Sequence, residues 1–475
     1  MKFTKEIELF ISDFVDEMEA NNAAIFAGAG LSFKSGCVDW KGLLAEFAEK
    51  LDLDINKESD LISLAQYYLN KKANNRHALN KKILRAFHHG KKPNENHKIL
   101  ARLPISTFWT TNYDRLIEKS FEDAHKIVDV KYTTEHLAQT IDDRDVILYK
   151  MHGDVENPRN AIISKDQYEE YFNTHGAFIN ALSGDLVSKT FLFIGFSFTD
   201  PNLDYIFSRI RVTFRENQRE HYCFFREVKQ ETDESDEDFE YRKIKQALVI
   251  NDLLRFNINV LLVKEYDDVT SILQEIEDRY KRRTIYISGS AYSYGHWDAK
   301  TGENFVFELS KELIRKNFKI VSGFGVGVGG QVINGALEEI YLKRKEKLKD
   351  QLLLRPFPQG EIDVEEIDAY RKDMISYAGI SIFVFGNKTQ GNNVVLADGV
   401  KREFEISLEQ KVLVVPIGAT GFMARKLWER VFENCEKYFG SKDFIDSFRE
   451  LGDEEKTPKQ LIKSTIEFLN KIRRK

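Results

Sequence analysis

Residues 24–32, AIFAGAGLS, run from apolar, strand-like side chains straight into a glycine turn. That junction is how a parallel sheet hands its strand to a helix start, and it is where such folds receive a phosphate. Two further segments extend the pattern. TTNYD at 110–114 follows the apolar stretch ISTFWT, and MHGD at 151–154 follows DVILYK, so Asn112 and His152 each stand just past a strand. TFLFI leads in the same way into GFSFTDPN at 195–202, and HYCFFR and INVLLV are further buried-strand runs ending at turn chemistry. Between them lie LISLAQYYLN and NHKILARL, with apolar residues three and four apart, as on a helix. Strands alternating with helices predict an α/β fold with a doubly wound, mostly parallel sheet. Ligands then sit at the carboxyl ends of the strands, where Gly28, Gly30, Asn112, His152 and Gly195 all fall.

The pattern begins again after the helical stretch DDVTSILQEIEDRYKRR, which places a domain boundary near Arg283. TIYISGSAYS is a strand meeting a small-residue turn, and KIVSGFGVGVGGQVINGALEEIY reads as strand, glycine loop and helix. SIFVFGNK and KVLVVPIGATG repeat the strand-to-turn pattern. Gly325, Gly327 and Gly330 form a literal G-x-G-x-x-G between a strand and a helix, its required context. No acidic side chain stands at the offset that grips an adenosine ribose in a redox site, which argues against hydride transfer there. The chain is therefore expected to hold two doubly wound Rossmann-like domains, residues 1–283 and 284–475. The acidic run 227–240 reads as a solvated loop or exposed helix start, and KRKEKLKD at 343–350 as an exposed helix end or loop.

Composition sets outer bounds. A chain of 475 residues exceeds one ordinary core. The net charge of −6 argues against a general nucleic-acid binder. The three cysteines, Cys37, Cys223 and Cys435, are far apart, so they make neither a zinc ribbon nor a disulfide framework, and a reducing cytoplasm is expected. The start, MKFTKEIELFISDFVDEM, is amphipathic and acidic, unlike a signal peptide. No apolar run approaches the roughly 20 residues of a membrane span.

Taken singly, each candidate has a plain structural account. A GAG turn is a common tight connection, Asn112 before YDRLIEKSFEDA is placed to cap a helix, and a lone histidine is usually a hydrogen-bonded core residue. Together and in this order they form a minimal kit for chemistry on a dinucleotide ribose. GAGLS, TTN and HG resemble the sirtuin NAD-binding core over about residues 10–280, with GFSFTDPN similar to its later Gly-x-Ser turn. The resemblance implies that His152 acts as a base on the nicotinamide ribose and that Asn112 orients a ribose hydroxyl or water. It also implies NAD contacts from Gly28, Ala29, Gly30, Ser32, Asp39, Thr111, Asp114, Gly195 and Ser197. Asp114 has an equally good account as a charge at a helix start. Two departures matter. HGDVENPRNAIISKDQYEEY holds none of the zinc cysteines of the protein-deacylating sirtuins, and CVDWK at 37–41 stands where they carry Pro-Asp-Phe-Arg. Without an acyl-lysine carbonyl to trap C1′, water is expected to do so, with no zinc and with NAD+ as substrate.

The second domain resembles a SLOG domain. Fused to a zinc-less sirtuin core, it makes the chain similar throughout to the NAD-cleaving effectors of Thoeris antiphage defence, in ISGS, SGFGVGVGG, LRPFPQG, YRKDMI, FGNK and GVKREFEIS. That resemblance implies a homotetramer and activation by a cyclic ADP-ribose isomer made by a TIR-domain partner. Backbone loops at Gly289, Ser290, Gly325 and Val326, the cations Arg355, Arg371 and Lys388, and Glu403 close to Gly399 suit a ligand with a pyrophosphate and ribose hydroxyls. Competing readings are an NAD-dependent protein deacylase and a nucleotide-binding scaffold with a dead site. A phosphoribohydrolase using Glu338 or Glu339 is a further one.

Overall fold

The apolar residues before the first glycine turn form β1 (Ala23–Ala27), buried along its whole length. It is followed by β2 (Thr107–Thr110), β3 (Val128–Lys131), β4 (Val146–Lys150), β5 (Thr190–Ile194), β6 (His221–Arg226) and β7 (Ile258–Val263). In this computed structural model, which describes residues 3–87, 90–343, 351–356 and 363–473, these seven strands make one sheet in the order β3-β4-β2-β1-β5-β6-β7, paired in parallel throughout. The central strands β1, β2 and β5 are buried on both faces, which is why they read as continuous apolar runs rather than alternating ones. The chain winds outward from β1 in one direction and from β5 in the other. The crevice at their carboxyl ends is thus the switch point of a doubly wound sheet.

Two glycine turns meet there. Gly28 N donates to Ile194 O and Gly30 N to Gly195 O, each at 2.9 Å. A Cβ on Gly28 would strike the Gly195 carbonyl, and one on Gly30 would lie 2.8 Å from Gly195 Cα. Gly195 has φ +64°, and a Cβ there would run into Leu31 N. Gly195→Ala combines left-handed strain with backbone overlap, so it is expected to cost about 1–3 kcal/mol. A lowered melting temperature of the N-terminal unit checks this, and an unchanged one would refute the account.

Strand β3 carries no apolar run, and the sequence reading passed over it. Its VDVK buries Asp129 and Lys131, which pair with each other at 2.6 Å, while Arg144 reaches Asp129 at 2.7 Å. The acidic run ends in a helix start: Asp236–Leu254 begins with Asp236, Glu237 and Asp238 in its first turn, under a Ser235 cap.

The chain divides into two units, Met1–Glu277 and Asp278–Lys475. The second has β8 (Thr284–Ser290), β9 (Lys319–Ser322), β10 (Leu352–Leu354), β11 (Ile380–Phe385), β12 (Asn387–Gln390), β13 (Asn393–Leu396) and β14 (Leu413–Pro416). Five of these form a parallel sheet, β10-β9-β8-β11-β14, whose order reverses between β8 and β11. β12 and β13 make an antiparallel hairpin beyond β11 that the sequence reading did not anticipate. Residues 344–350 of KRKEKLKD and 357–360 of LRPFPQG lie outside the described residues. Among the described residues, no helix is long and apolar enough to cross a membrane.

Candidate active site

At the β1/β5 switch point lies a cavity of about 730 Å³, within the size range of small-molecule sites. Ala29, Gly30, Asp39, Thr111, His152, Gly195 and Ser197 contribute to its wall, so seven of the eleven sequence-assigned residues of this domain come together there. The other four stand behind that wall. Gly28 is packed on the Gly195 turn, and its amide is already bonded. Asn112 Nδ2 donates to Gly28 O at 3.0 Å and reaches the buried Ser32 Oγ at 3.3 Å. Asp114 Oδ1 accepts from Leu116 N at 3.0 Å, at the start of the helix Leu116–Asp123. Asn112, expected to orient a ribose hydroxyl or water, ties the Asn loop to the glycine turn through its amide nitrogen. Asp114 holds a helix start, as its alternative account had it. Gly28 and Gly30 serve close approach between two strand ends, and their N–H groups donate to Ile194 O and Gly195 O.

His152 is positioned from below. Tyr171 OH donates to Met151 O at 3.0 Å, and the His152 carbonyl accepts from Ile162 N at 2.9 Å. The imidazole meets Tyr168 and Tyr171 edge-on, at ring separations of 5.5 and 6.3 Å. Its Nε2 lies 3.1 Å from Asp200 Oδ2. That contact is not aligned as a hydrogen bond, and both ring nitrogens are buried without a hydrogen-bond partner. Burial pushes the Asp200 carboxyl up. The His152 charge and contact and the helix N–H donors outweigh it and hold the group below its usual range. Burial, then the Asp200 charge, pushes the Tyr168 hydroxyl well above its usual range, so it stays a donor toward Asp200 Oδ2 at 3.3 Å.

Sequence reasoning missed Asp200, Tyr168, Trp40 and Asp60, all in the cavity wall. Asp39, Asp60 and Asp200 each cap a helix, at Trp40–Glu49, Leu61–Lys71 and Pro201–Phe214. The Asp-Pro pair at 200–201 was the available signal for Asp200, since proline favours a helix's first position. Among the described residues, no group of three or more His, Cys, Asp or Glu is arranged to hold a metal.

In the second unit the sequence-assigned residues fall into groups at the carboxyl side of the sheet. A Cβ on Gly325 would collide with the Gly289 carbonyl, and Ala291 N donates to Val326 O at 2.8 Å, so the two glycine loops interlock. Ser290 Oγ donates to Asn387 O at 3.0 Å. Arg371 Nε lies 3.5 Å from Glu403 Oε1, and a Cβ on Gly399 would sit 3.0 Å from Arg371 Nη2. Glu403 is buried, its carboxyl pushed up by burial and partly offset by Ser288, whose Oγ donates at 2.6 Å, then Tyr286 and Arg371. Arg355 Nη2 donates to Tyr377 OH at 2.9 Å, and Lys388 on the β12 hairpin pairs with Asp398 at 3.0 Å. Glu338 and Glu339 pair with Lys311 and Arg315, which accounts for them structurally.

Fold and site together define a Rossmann-type dinucleotide domain of sirtuin-like build, followed by a second nucleotide-type α/β unit. Residues 106–247 match the SIR2-like domain family, and residues 268–472 match the Sir2- and TIR-associating SLOG family. The chain is 53% identical to NAD(+) hydrolase ThsA of Bacillus cereus (strain MSX-D12) across 99% of both chains. It is 45% identical to NAD(+) hydrolase ThsA of Acinetobacter baumannii (strain 532279), across 99% of this chain and 100% of the relative. A further relative of the same name, from Enterococcus faecium, is 43% identical over 98% of this chain and 99% of its own. The chain belongs to the ThsA family of NAD+ hydrolases.

Proposed function

We propose that this NAD+ hydrolase cuts the nicotinamide–ribose bond in the β1/β5 cavity, and that a cyclic ADP-ribose isomer bound to the C-terminal unit switches it on. The observation that carries the first half is His152: a buried imidazole with two unpartnered nitrogens in the wall of a dinucleotide-sized cavity at a sheet switch point. NAD+ needs no acid to lose nicotinamide. As the C1′–N bond breaks, the electron pair neutralises the pyridinium and C1′ takes on oxocarbenium character. Water then forms the new C1′–O bond, and its proton leaves through His152 to solvent, giving ADP-ribose. Asn112 contributes by fixing the glycine turn against the ribose site, and the Asp39, Thr111 and Ser197 side chains line the path for the rest of the dinucleotide.

Hydrolysis is favoured over deacylation because the segment after His152 carries no cysteines to build the zinc module. Nicotinamide and ADP-ribose released from NAD+, with label from ¹⁸O-water in the ribose, is the expected result. Deacylation of an acylated peptide as the main reaction would overturn it, as would the absence of nicotinamide under every nucleotide tested.

Regulation by a cyclic ADP-ribose isomer, supplied by a TIR-domain partner during antiphage defence, is supported by the SLOG-type match and by the grouping of Arg371 with Glu403. Arg371→Ala is expected to raise the half-activating concentration about 10–100-fold, the worth of one charged hydrogen-bonding group. Activity indifferent to every isomer, or to this substitution, would remove the sensor and leave the hydrolase. A homo-oligomer, tetrameric by family resemblance, is supported by the helix Asp236–Leu254, where Tyr241, Ile244 and Leu248 are 67%, 56% and 63% exposed along one face. Light scattering measures its mass.

A further inference from the structure

We propose that Asp200 is a positioning residue for His152: its carboxylate faces the imidazole and balances the charge the ring acquires when it takes a proton. The proposal rests on the assignment of His152 as the base. The carboxylate is divided between two tasks. Oδ1 accepts from Asn202 N at 2.9 Å and Leu203 N at 3.2 Å, capping the helix Pro201–Phe214. Oδ2 is turned the other way, 3.1 Å from His152 Nε2 and 3.3 Å from Tyr168 OH. A helix cap needs only the first oxygen. The second faces the His152 imidazole in the cavity wall.

The proton moves from the attacking water, or from the ribose hydroxyl that relays it, onto the imidazole, whose ring nitrogens are both free of other partners. The new C1′–O bond keeps the electron pair, and the imidazolium sits against Asp200 until it passes its proton to solvent. In a buried site, a carboxylate about 3 Å away favours that cation far more than water-screened charge would. The Tyr168 and Tyr171 rings, set edge-on at 77° and 80°, keep the imidazole from turning away.

The two tasks of Asp200 can be separated. Asparagine and serine cap helices about as well as aspartate does. Asp200→Asn and Asp200→Ser therefore keep the helix start and remove the charge that faces the imidazole. With His152→Ala measured alongside, both Asp200 variants are expected to lose about 10²-fold or more in kcat, with the KM for NAD+ within about twofold and the melting temperature unchanged. If His152→Ala is inactive while both Asp200 variants keep wild-type kcat, the positioning role is refuted and the base assignment stands. A raised KM at normal kcat would make Asp200 a substrate contact, and a raised basal rate would make it a restraint; each overturns the proposal. Full activity in His152→Ala removes the base assignment itself.

Discussion

Replacement of His152 by alanine is expected to lower nicotinamide release from NAD+ by about 10²–10⁴-fold, the usual worth of a positioned general base. The fold is expected to survive, because the contacts that shape this loop are made by main chain. Met151 O is held by Tyr171, and His152 itself bonds Ile162 N through its carbonyl. Asp200 loses the imidazole 3.1 Å from its Oδ2 but keeps the two helix N–H donors on Oδ1. The truncation opens a small space between Tyr168 and Tyr171 that is continuous with the cavity, so the packing cost is modest. An unchanged circular dichroism spectrum with activity reduced at least a hundredfold is the expected pair of results. Activity within a few fold of wild type would move the base elsewhere in the cavity wall. Asn112→Ala tests a different link. It frees Gly28 O and Ser32 Oγ from the amide that bridges them, so it is expected to loosen the glycine turn and lower the melting temperature as well as the rate.

The strands beside the site were legible because they are buried on both faces. AIFA, TFWT and TFLFI have no choice but to be apolar, and each breaks at a residue with turn chemistry. VDVK was not legible, because its burial is balanced by an ion pair that no periodicity reports. The same limit applied at the site. His152 stood out as an imidazole at a strand end, yet Asp200, in contact with it, is 48 residues away in sequence and reads locally as a helix cap. The glycine turn was read in place, but its packing against the Gly195 turn was not. Its residues are small because β1 and β5 converge there, and only the sheet order discloses that convergence. In the second unit, Gly325 against Gly289 repeats the arrangement at the β8 and β9 ends.

Lys150→Met is expected to destabilise the N-terminal unit by about 3–5 kcal/mol, the cost of leaving buried carboxylates without their cation. Lys150 ends β4 with its side chain fully buried, between Glu118 and Asp154, which are 2% and 3% exposed. Its ammonium donates to Glu118 Oε1 at 2.8 Å, to Asp154 Oδ2 and to Asp114 O at 2.6 Å. One cation thus ties the loop after Asn112 to the loop that carries His152. Burial alone would push Lys150 down, but the two carboxylates outweigh it and hold the ammonium above its usual range. Glu118 is pushed up by burial even with Lys150 in place. Remove the ammonium and that carboxyl rises further above its unfolded value of about 4.3. A carboxyl whose folded value is raised binds its proton more tightly in the folded state. Stability therefore falls as pH climbs from the unfolded value through the folded one. The deficit of Lys150→Met is accordingly smaller at pH 5 than at pH 8, and Lys150→Met with Glu118→Gln recovers part of it. Because the chain has two units, calorimetry that resolves separate transitions is the measurement to use. A transition that moves equally at both pH values, with no recovery from Glu118→Gln, would show that Lys150 matters for its packing and not for its charge.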